Sequence, residues 1–413
     1  MTIPSPSQRG LQAAASPIRR LSPYADAAKA RGIYVHHLNI GQPDIETPRS
    51  VVEAYRGYDD KVLAYGASEG TATYRGALAD YYNGLGAAAG GSPITPAQVM
   101  ITVGGSEALS FAIAATCDPG DEVLVAEPFY PNYKGFSHIL GVETRAVTTH
   151  AAEGFDLPAE RLRAAIGPRT RAVCLSTPGN PTGAVLSAER LAEIGQVCVE
   201  KGVFFLCDEV YRDFVYEAGV RYAPSVLAVP GLDAHVIMID SVSKRYSACG
   251  ARVGCLVTRN AELYATMLKF AQTRLSPPVV DQLAGLAALQ TPEKELRSAI
   301  DDYRRRRDAL VAGLNRIPGV SARTPAGAFY LIVQLPVDDA EKFAIFLLRD
   351  FDLDGETVML APADGFYATP GLGKQQVRAA YVLQVPKLER SVAILEAGLK
   401  AYAARATGTA AYA

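Results

Sequence analysis

From about residue 50 to 290, short apolar runs alternate with stretches of helical periodicity, and this alternation restricts the chain to a layered α/β architecture. Val99–Val103, Glu122–Ala126, Arg171–Ser176, Val203–Cys207, Val236–Asp240 and Ala251–Thr258 read as strands, most of them separated by helical patterns. Such alternation predicts a mostly parallel sheet, and ligands of such sheets collect at the carboxyl ends of the strands. Beyond residue 290 the pattern changes to a long helix, a Phe329–Gln334 strand and a final helix. That helix carries Leu388, Val392, Leu395, Leu399 and Tyr402 at helical spacing, a core-packing stripe. With 413 residues, two domains are expected: a large one at 46–290, and a smaller α+β one from 1–45 and 291–413.

Composition removes several function classes. The formal net charge of −2 argues against a nucleic-acid or polyanion partner. The one dense basic cluster, Arg304–Arg307, lies in a helical pattern with Leu296, Ile300, Tyr303, Leu310 and Leu314, and reads as a solvated helix face. Six cysteines without a C-x-x-C pair predict free thiols and a cytoplasmic location rather than disulfides or zinc. The His36–His37 pair has no metal-ligand spacing. No apolar segment approaches a membrane span and no signal-peptide core is evident. Residues from about Thr407 read as a flexible tail.

The strand ends carry the chemistry. Gly104, Asn180, Asp208 and Lys244 all fall near the ends of predicted strands, as one shared site requires. In Asp240-Ser-Val-Ser-Lys-Arg-Tyr-Ser-Ala-Cys-Gly-Ala-Arg-Val-Gly254, Lys244 follows Ser241 and Ser243, and Arg252 stands between two glycines. That layout suits a lysine imine to an aldehyde cofactor, pyridoxal phosphate, with Arg252 gripping the phosphate. Asp208 could hold a pyridine nitrogen protonated; the plainer reading is a turn or cap. Asn180, in Thr177-Pro-Gly-Asn-Pro-Thr-Gly183, is either a turn former or a donor to the ring's 3-oxygen. Gly104-Gly105-Ser106 joins a strand to a helix, where free amides and the helix dipole favour an anion.

Asn-Pro-Thr-Gly, then Asp-Glu-Val-Tyr211, then Ser-x-Ser-Lys-x(7)-Arg resembles, in that order, the fold-type I pyridoxal-phosphate aminotransferases of the aspartate aminotransferase superfamily. Leu38-Asn-Ile-Gly-Gln-Pro-Asp44, Tyr65-x(4)-Gly70 with Tyr74-Arg75, Pro325-Ala-Gly-Ala-Phe-Tyr330 and Val377-Arg378 extend the resemblance over nearly the whole chain, with Tyr74 replacing a usual leucine. The resemblance implies a large domain whose seven-stranded sheet lies between helices. It also implies a homodimer in which Tyr65 reaches the neighbouring active site, and a cofactor phosphate at Gly104, Gly105, Ser106, Ser241 and Arg252. Ser243 is grouped with these cofactor-binding residues. Tyr130 would stack on the ring and Tyr211 would bond its oxygen. Arg378 would bind the substrate α-carboxylate with help from Gly41 and Asn180.

The expected reaction is ping-pong transfer of an amino group from an L-amino acid to a 2-oxo acid, with Lys244 as proton carrier and aspartate with 2-oxoglutarate as the leading pair. Some acidic-substrate relatives carry a lysine after the Gly-Gly; Ser106 stands there in this chain. Arg19 or Arg20 is therefore the expected reader of a distal carboxylate. A β-lyase, decarboxylase, synthase or oxidase on the same scaffold is the alternative. A DNA-binding regulator is not expected, because no helix-turn-helix pattern precedes Gly41. A nicotinamide dehydrogenase is disfavoured because no G-x-G-x-x-G follows the first strand.

Overall fold

The computed structural model describes residues 4–406; the tail expected from Thr407 lies outside them. Seven strands form one sheet: β1 (Val99–Val103), β2 (Glu122–Glu127), β3 (Glu143–Thr148), β4 (Thr170–Ser176), β5 (Phe204–Asp208), β6 (Val236–Ser241) and β7 (Val253–Val257). Their spatial order is β1-β7-β6-β5-β4-β2-β3. All neighbours are parallel except β7, which runs antiparallel to both β1 and β6. Side chains alternate between the faces. Leu124, Val173, Phe205 and Met238 pack on one side, and Val123, Cys174, Leu206 and Ile237 on the other. Burial on both faces is why these strands read as unbroken apolar runs.

One strand was not visible in the sequence. Glu-Thr-Arg-Ala-Val-Thr148 forms β3, which pairs only with β2 at the sheet edge and exposes alternate residues. An edge strand needs only one apolar face, so its polar sequence reads as a loop. The six predicted strands agree with the structure to within a few residues at each end.

The C-terminal part builds a second layer. Strands Ala361–Pro362, Gln376–Ala380, Tyr330–Gln334 and Ser321–Ala322 form an antiparallel sheet in that order. Helices Glu293–Leu314, Ala340–Arg349 and Val385–Ala406 accompany it. Leu388, Val392, Leu395 and Leu399 are buried as expected, in a cluster with Leu310, Phe343 and Leu331. Leu21, Ala25 and Ala28 from the N-terminal segment pack on Ala344, Leu348 and Met359, and Tyr34–His37 pairs in parallel with Glu356–Met359. No helix among the described residues is long and apolar enough to cross a membrane. All six cysteines are unpaired, and five are buried.

The arginine run departs from expectation. Arg304 and Arg305 do face solvent, paired with Asp301 and Asp302. Arg306 is only 4% exposed and pairs with Asp44 at 2.5 Å and Asp302 at 2.7 Å. Arg307 lies 4.7 Å from the Tyr216 ring and donates to the Pro325 carbonyl. Four consecutive residues sweep most of the way round a helix, so they cannot all face water when one side is buried.

Candidate active site

The direction of β7 assembles the site. Parallel strands β4, β5 and β6 end at Ser176, Asp208 and Ser241 on one edge, and β1 ends there at Val103. Because β7 runs the other way, the residue that precedes it, Arg252, arrives at that same edge. Val253 pairs with Val103, and Gly254 pairs with Ser241.

Lys244 sits in the single turn Val242–Arg245 that follows β6. Ser241 fixes this turn: its hydroxyl donates to the Val253 carbonyl at 2.8 Å and accepts from the Ser243 amide at 3.2 Å. Lys244 Nζ donates to the Gly41 carbonyl at 3.0 Å, and the Cys249 sulfur lies 3.7 Å away. Below the turn is a buried ionic network. Arg245 pairs with Asp213 and with Asp240 (3.0 Å); Arg212 pairs with Glu209 (3.1 Å) and Asp240 (3.3 Å). Burial opposes ionisation of Asp240, yet the two guanidinium groups hold its carboxyl below the usual range. Removing one member would leave a buried charge unpaired, so the network anchors the base of the lysine turn.

Asp208 projects from the end of β5 towards the same cleft. Its carboxylate accepts from the Tyr133 hydroxyl at 2.8 Å and the Val210 amide at 3.3 Å. Burial pushes its pKa up to about 6, against the pull of those hydrogen bonds. Tyr130 meets Tyr133 edge to face at 5.7 Å. Tyr211 is buried, and its hydroxyl is 2.9 Å from that of Tyr330, which in turn donates to the Gly41 carbonyl at 3.3 Å. Gly41 is required by this contact: a Cβ there would lie 1.8 Å from the Tyr330 hydroxyl.

Arg378 is the most unusual cation of the site. It is 1% exposed and forms no ion pair among the described residues. Its guanidinium donates to Asn180 Oδ1 at 3.3 Å and to the Asn39 carbonyl, and its Nε is unpartnered. The rings of Tyr330 and Phe366 lie 4.5 and 5.2 Å away. Burial lowers its pKa.

At the other end of the cleft, Gly104, Gly105 and Ser106 open the helix Gly104–Thr116, whose start has no side-chain cap. Gly104 has φ +71°, and a Cβ on it would lie 2.6 Å from the Arg252 guanidinium. Arg252 itself is left-handed (φ +53°) and exposed; it bonds the Cys249 carbonyl but forms no ion pair among the described residues. Uncapped helix amides facing an unpaired guanidinium make an anion cradle. A cradle at one end, a carboxylate in the middle and a lysine beside it fit the residues that pyridoxal phosphate needs.

Lys244, Asp208, Asn180, Tyr211, Ser241, Ser243, Arg252 and the Gly104–Ser106 turn therefore share the carboxyl edge, and Arg378 reaches it from the second sheet through Asn180. Tyr65 does not join them within one chain: it is 80% exposed, beside exposed Val62 and Leu63. Arg20 is already committed, bridging Glu341 at 2.9 Å and Asp364 at 2.6 Å. Arg19 is exposed, forms no ion pair among the described residues, and lies close enough to Tyr130 for its charge to oppose the burial that lifts that phenol to about 12. Three further residues escaped sequence reading. Tyr330 was inside a recognised motif but had no assigned role. Tyr133 follows Tyr130 by three positions, a helical spacing that was available as a signal. Phe366 lies in a segment with no pattern of its own.

The fold, with a cleft whose residues fit the cofactor, is that of a pyridoxal-phosphate-dependent enzyme. The chain belongs to the aminotransferase class I and II family, whose profile matches residues 34–371. It is 33% identical to an aspartate aminotransferase of Rhizobium meliloti (strain 1021) over 79% of this chain and 78% of that one. It is likewise 33% identical to an aspartate/prephenate aminotransferase of Thermus thermophilus, over 79% and 84% of the two chains. Among solved structures, aspartate aminotransferase from Thermus thermophilus with maleate superposes with TM-score 0.84 at 29% identity, covering 96% of this chain and all of that one. Alanine aminotransferase from Pyrococcus furiosus gives TM-score 0.86 at 29% identity and the same coverage.

Proposed function

We propose that this aminotransferase acts on acidic amino acids, moving the amino group of L-aspartate to 2-oxoglutarate by ping-pong turnover. The observation that carries the amino-acid part of this reading is Arg378, a buried guanidinium with no carboxylate partner among the described residues; the acidic side chain rests on Arg19 and on the relatives. Arginine is rarely so buried unless paired, and a substrate α-carboxylate supplies the missing partner in a bidentate fork. Relatives with aspartate in their names support an acidic substrate.

Pyridoxal phosphate supplies an aldehyde for the amino group and a cationic ring that withdraws electrons from the α-carbon. Gly104, Gly105, Ser106, Ser241, Ser243 and Arg252 would hold the phosphate end of the cofactor, and Tyr130 would pack on its ring. Asn180 and Tyr211 would hold the ring's oxygen side, and Asp208 would keep its nitrogen protonated. Lys244 would take the substrate α-proton on Nζ and give it up to the former aldehyde carbon, across the substrate nitrogen. Gly41 and Asn180 steady the substrate carboxylate beside Arg378. Arg19, without an ion pair among the described residues, reads the distal carboxylate; Arg20, already bridging two acids, does not.

The exposed Val62, Leu63 and Tyr65 support a homodimer that completes each site. Six unpaired thiols support a reducing, cytoplasmic compartment. Apolar clusters drawn mainly from one range or the other support a large domain at 46–290 and a small one from 1–45 and 291–413, with Tyr211, Phe214 and Tyr216 of the large one packed into the small one's cluster.

The test is a half-reaction. Yellow, cofactor-loaded enzyme mixed with L-aspartate and no oxo acid should lose its visible absorbance and release one equivalent of oxaloacetate. Release of ammonia, carbon dioxide or peroxide with the absorbance retained would overturn transamination. Reaction with alanine and not aspartate would overturn the acidic substrate.

A further inference from the structure

We infer that Glu127 is a positioning residue for carboxylate binding: it fastens the segment that roofs Arg378 to the strand end that leads to Tyr130. The inference rests on the reading of Arg378 given above.

Glu127 is the last residue of β2 and is 0% exposed. No basic side chain pairs with it among the described residues. Its carboxylate is satisfied otherwise. The Thr148 hydroxyl donates to Oε1 at 2.7 Å, and the amides of Ala368 and Thr369 donate to Oε2 at 2.7 and 3.0 Å. The latter two come from a segment more than 240 residues later, directly after the turn Ala363–Phe366. A parallel bond joins the same parts: the Phe129 amide donates to the Phe366 carbonyl at 2.8 Å.

A carboxylate buried without a cation costs free energy that an apolar side chain would not. What it provides here is direction, since two amides must converge on one oxygen. The segment so held carries Phe366, fully buried, with its ring 5.2 Å from the Arg378 guanidinium. On its other side Glu127 leads in three residues to Tyr130. One carboxylate therefore sets the spacing between the proposed ring-stacking residue and the wall against which Arg378 is seated. A wall held loosely lets the guanidinium leave its orientation, which weakens substrate binding more than the proton transfer at Lys244.

The experiment compares Glu127→Leu, Glu127→Gln, Thr148→Val and Arg378→Ala in the cofactor-loaded enzyme, reading KM and kcat for aspartate and the dissociation constant of maleate, a non-reacting dicarboxylate. Glu127→Leu should raise KM and the maleate constant about tenfold, with kcat within about twofold. Glu127→Gln, whose amide oxygen can accept both N–H groups, should recover most of that loss. Thr148→Val should raise both constants about threefold, and it decides the matter if Glu127→Leu does not fold. Unchanged KM and maleate binding in Glu127→Leu, or in Thr148→Val when it alone is available, would overturn the inference. So would a fall in kcat larger than the rise in KM. If Arg378→Ala weakens aspartate and maleate while Glu127→Leu does not, only this inference fails. If Arg378→Ala leaves both unchanged, the reading of Arg378 fails first.

Discussion

The side-chain amine of Lys244 donates a hydrogen bond to the backbone carbonyl of Gly41, 203 residues earlier in the chain and 3.0 Å away in space. The contact ties the turn after β6 to the N-terminal Gly-Gln-Pro-Asp44 loop. That loop is held from its other end by Asp44, paired with buried Arg306. The amine thereby shares the Gly41 carbonyl with the Tyr330 hydroxyl, and its charge is felt by Asp208.

Replacing Lys244 with alanine removes the proposed proton carrier. Activity should fall by about four orders of magnitude or more, while the fold persists because Ser241 and the Asp240 network still fix the turn. Steady-state kinetics beside a circular dichroism melt checks both halves. A variant that keeps even a tenth of the activity would remove Lys244 from the chemistry.

Asp208 makes the cofactor-free protein sensitive to pH. Its folded pKa, about 6, stands above the 3.8 of a free aspartate. Between those values the folded state holds a proton that the unfolded state has released, so stability falls as pH rises through this window. The loss is at most about 3 kcal/mol, reduced by the solvent that reaches the cleft. Thermal melts of the cofactor-free enzyme from pH 4 to 7 should show the decline, and Asp208→Asn should flatten it.

Tyr133→Phe removes the 2.8 Å hydrogen bond that favours the charged form of Asp208. The pKa of Asp208 should move higher still, carrying the midpoint of the stability decline to higher pH. A midpoint that stays in place would show that the phenol does not stabilise the carboxylate.

Arg378→Lys keeps the charge but loses the fork. The shorter ammonium cannot bond Asn180, Asn39 and a carboxylate together, so KM for every amino acid should rise on the order of 100-fold. A rise confined to aspartate and glutamate would assign Arg378 to the distal carboxylate instead.

Arg19→Ala and Arg20→Ala should behave differently. The first should raise KM for aspartate and 2-oxoglutarate about tenfold or more and leave alanine turnover unchanged. The second breaks the bridge to Glu341 and Asp364 and should lower Tm while leaving substrate preference intact. Equal aspartate kinetics in Arg19→Ala and the parent would end the proposal for Arg19.

By itself the sequence determined the α/β layering and the seats of Lys244, Asp208 and Asn180. Strands buried on both faces leave apolar runs of fixed length, and glycine- and proline-marked turns follow them directly. The edge strand Glu143–Thr148 and the partition of the arginine run were hidden, because each depends on which face a distant layer covers. Only the tertiary structure decided that β7 runs antiparallel and so delivers Arg252 to Gly104. It also decided that Arg20 is occupied while Arg19 is not, and that Tyr133, Tyr330 and Phe366 complete the cleft. Local pattern reports a residue's own backbone and burial. Pairing across 100 or more residues is set by packing between layers, and no window of sequence contains it.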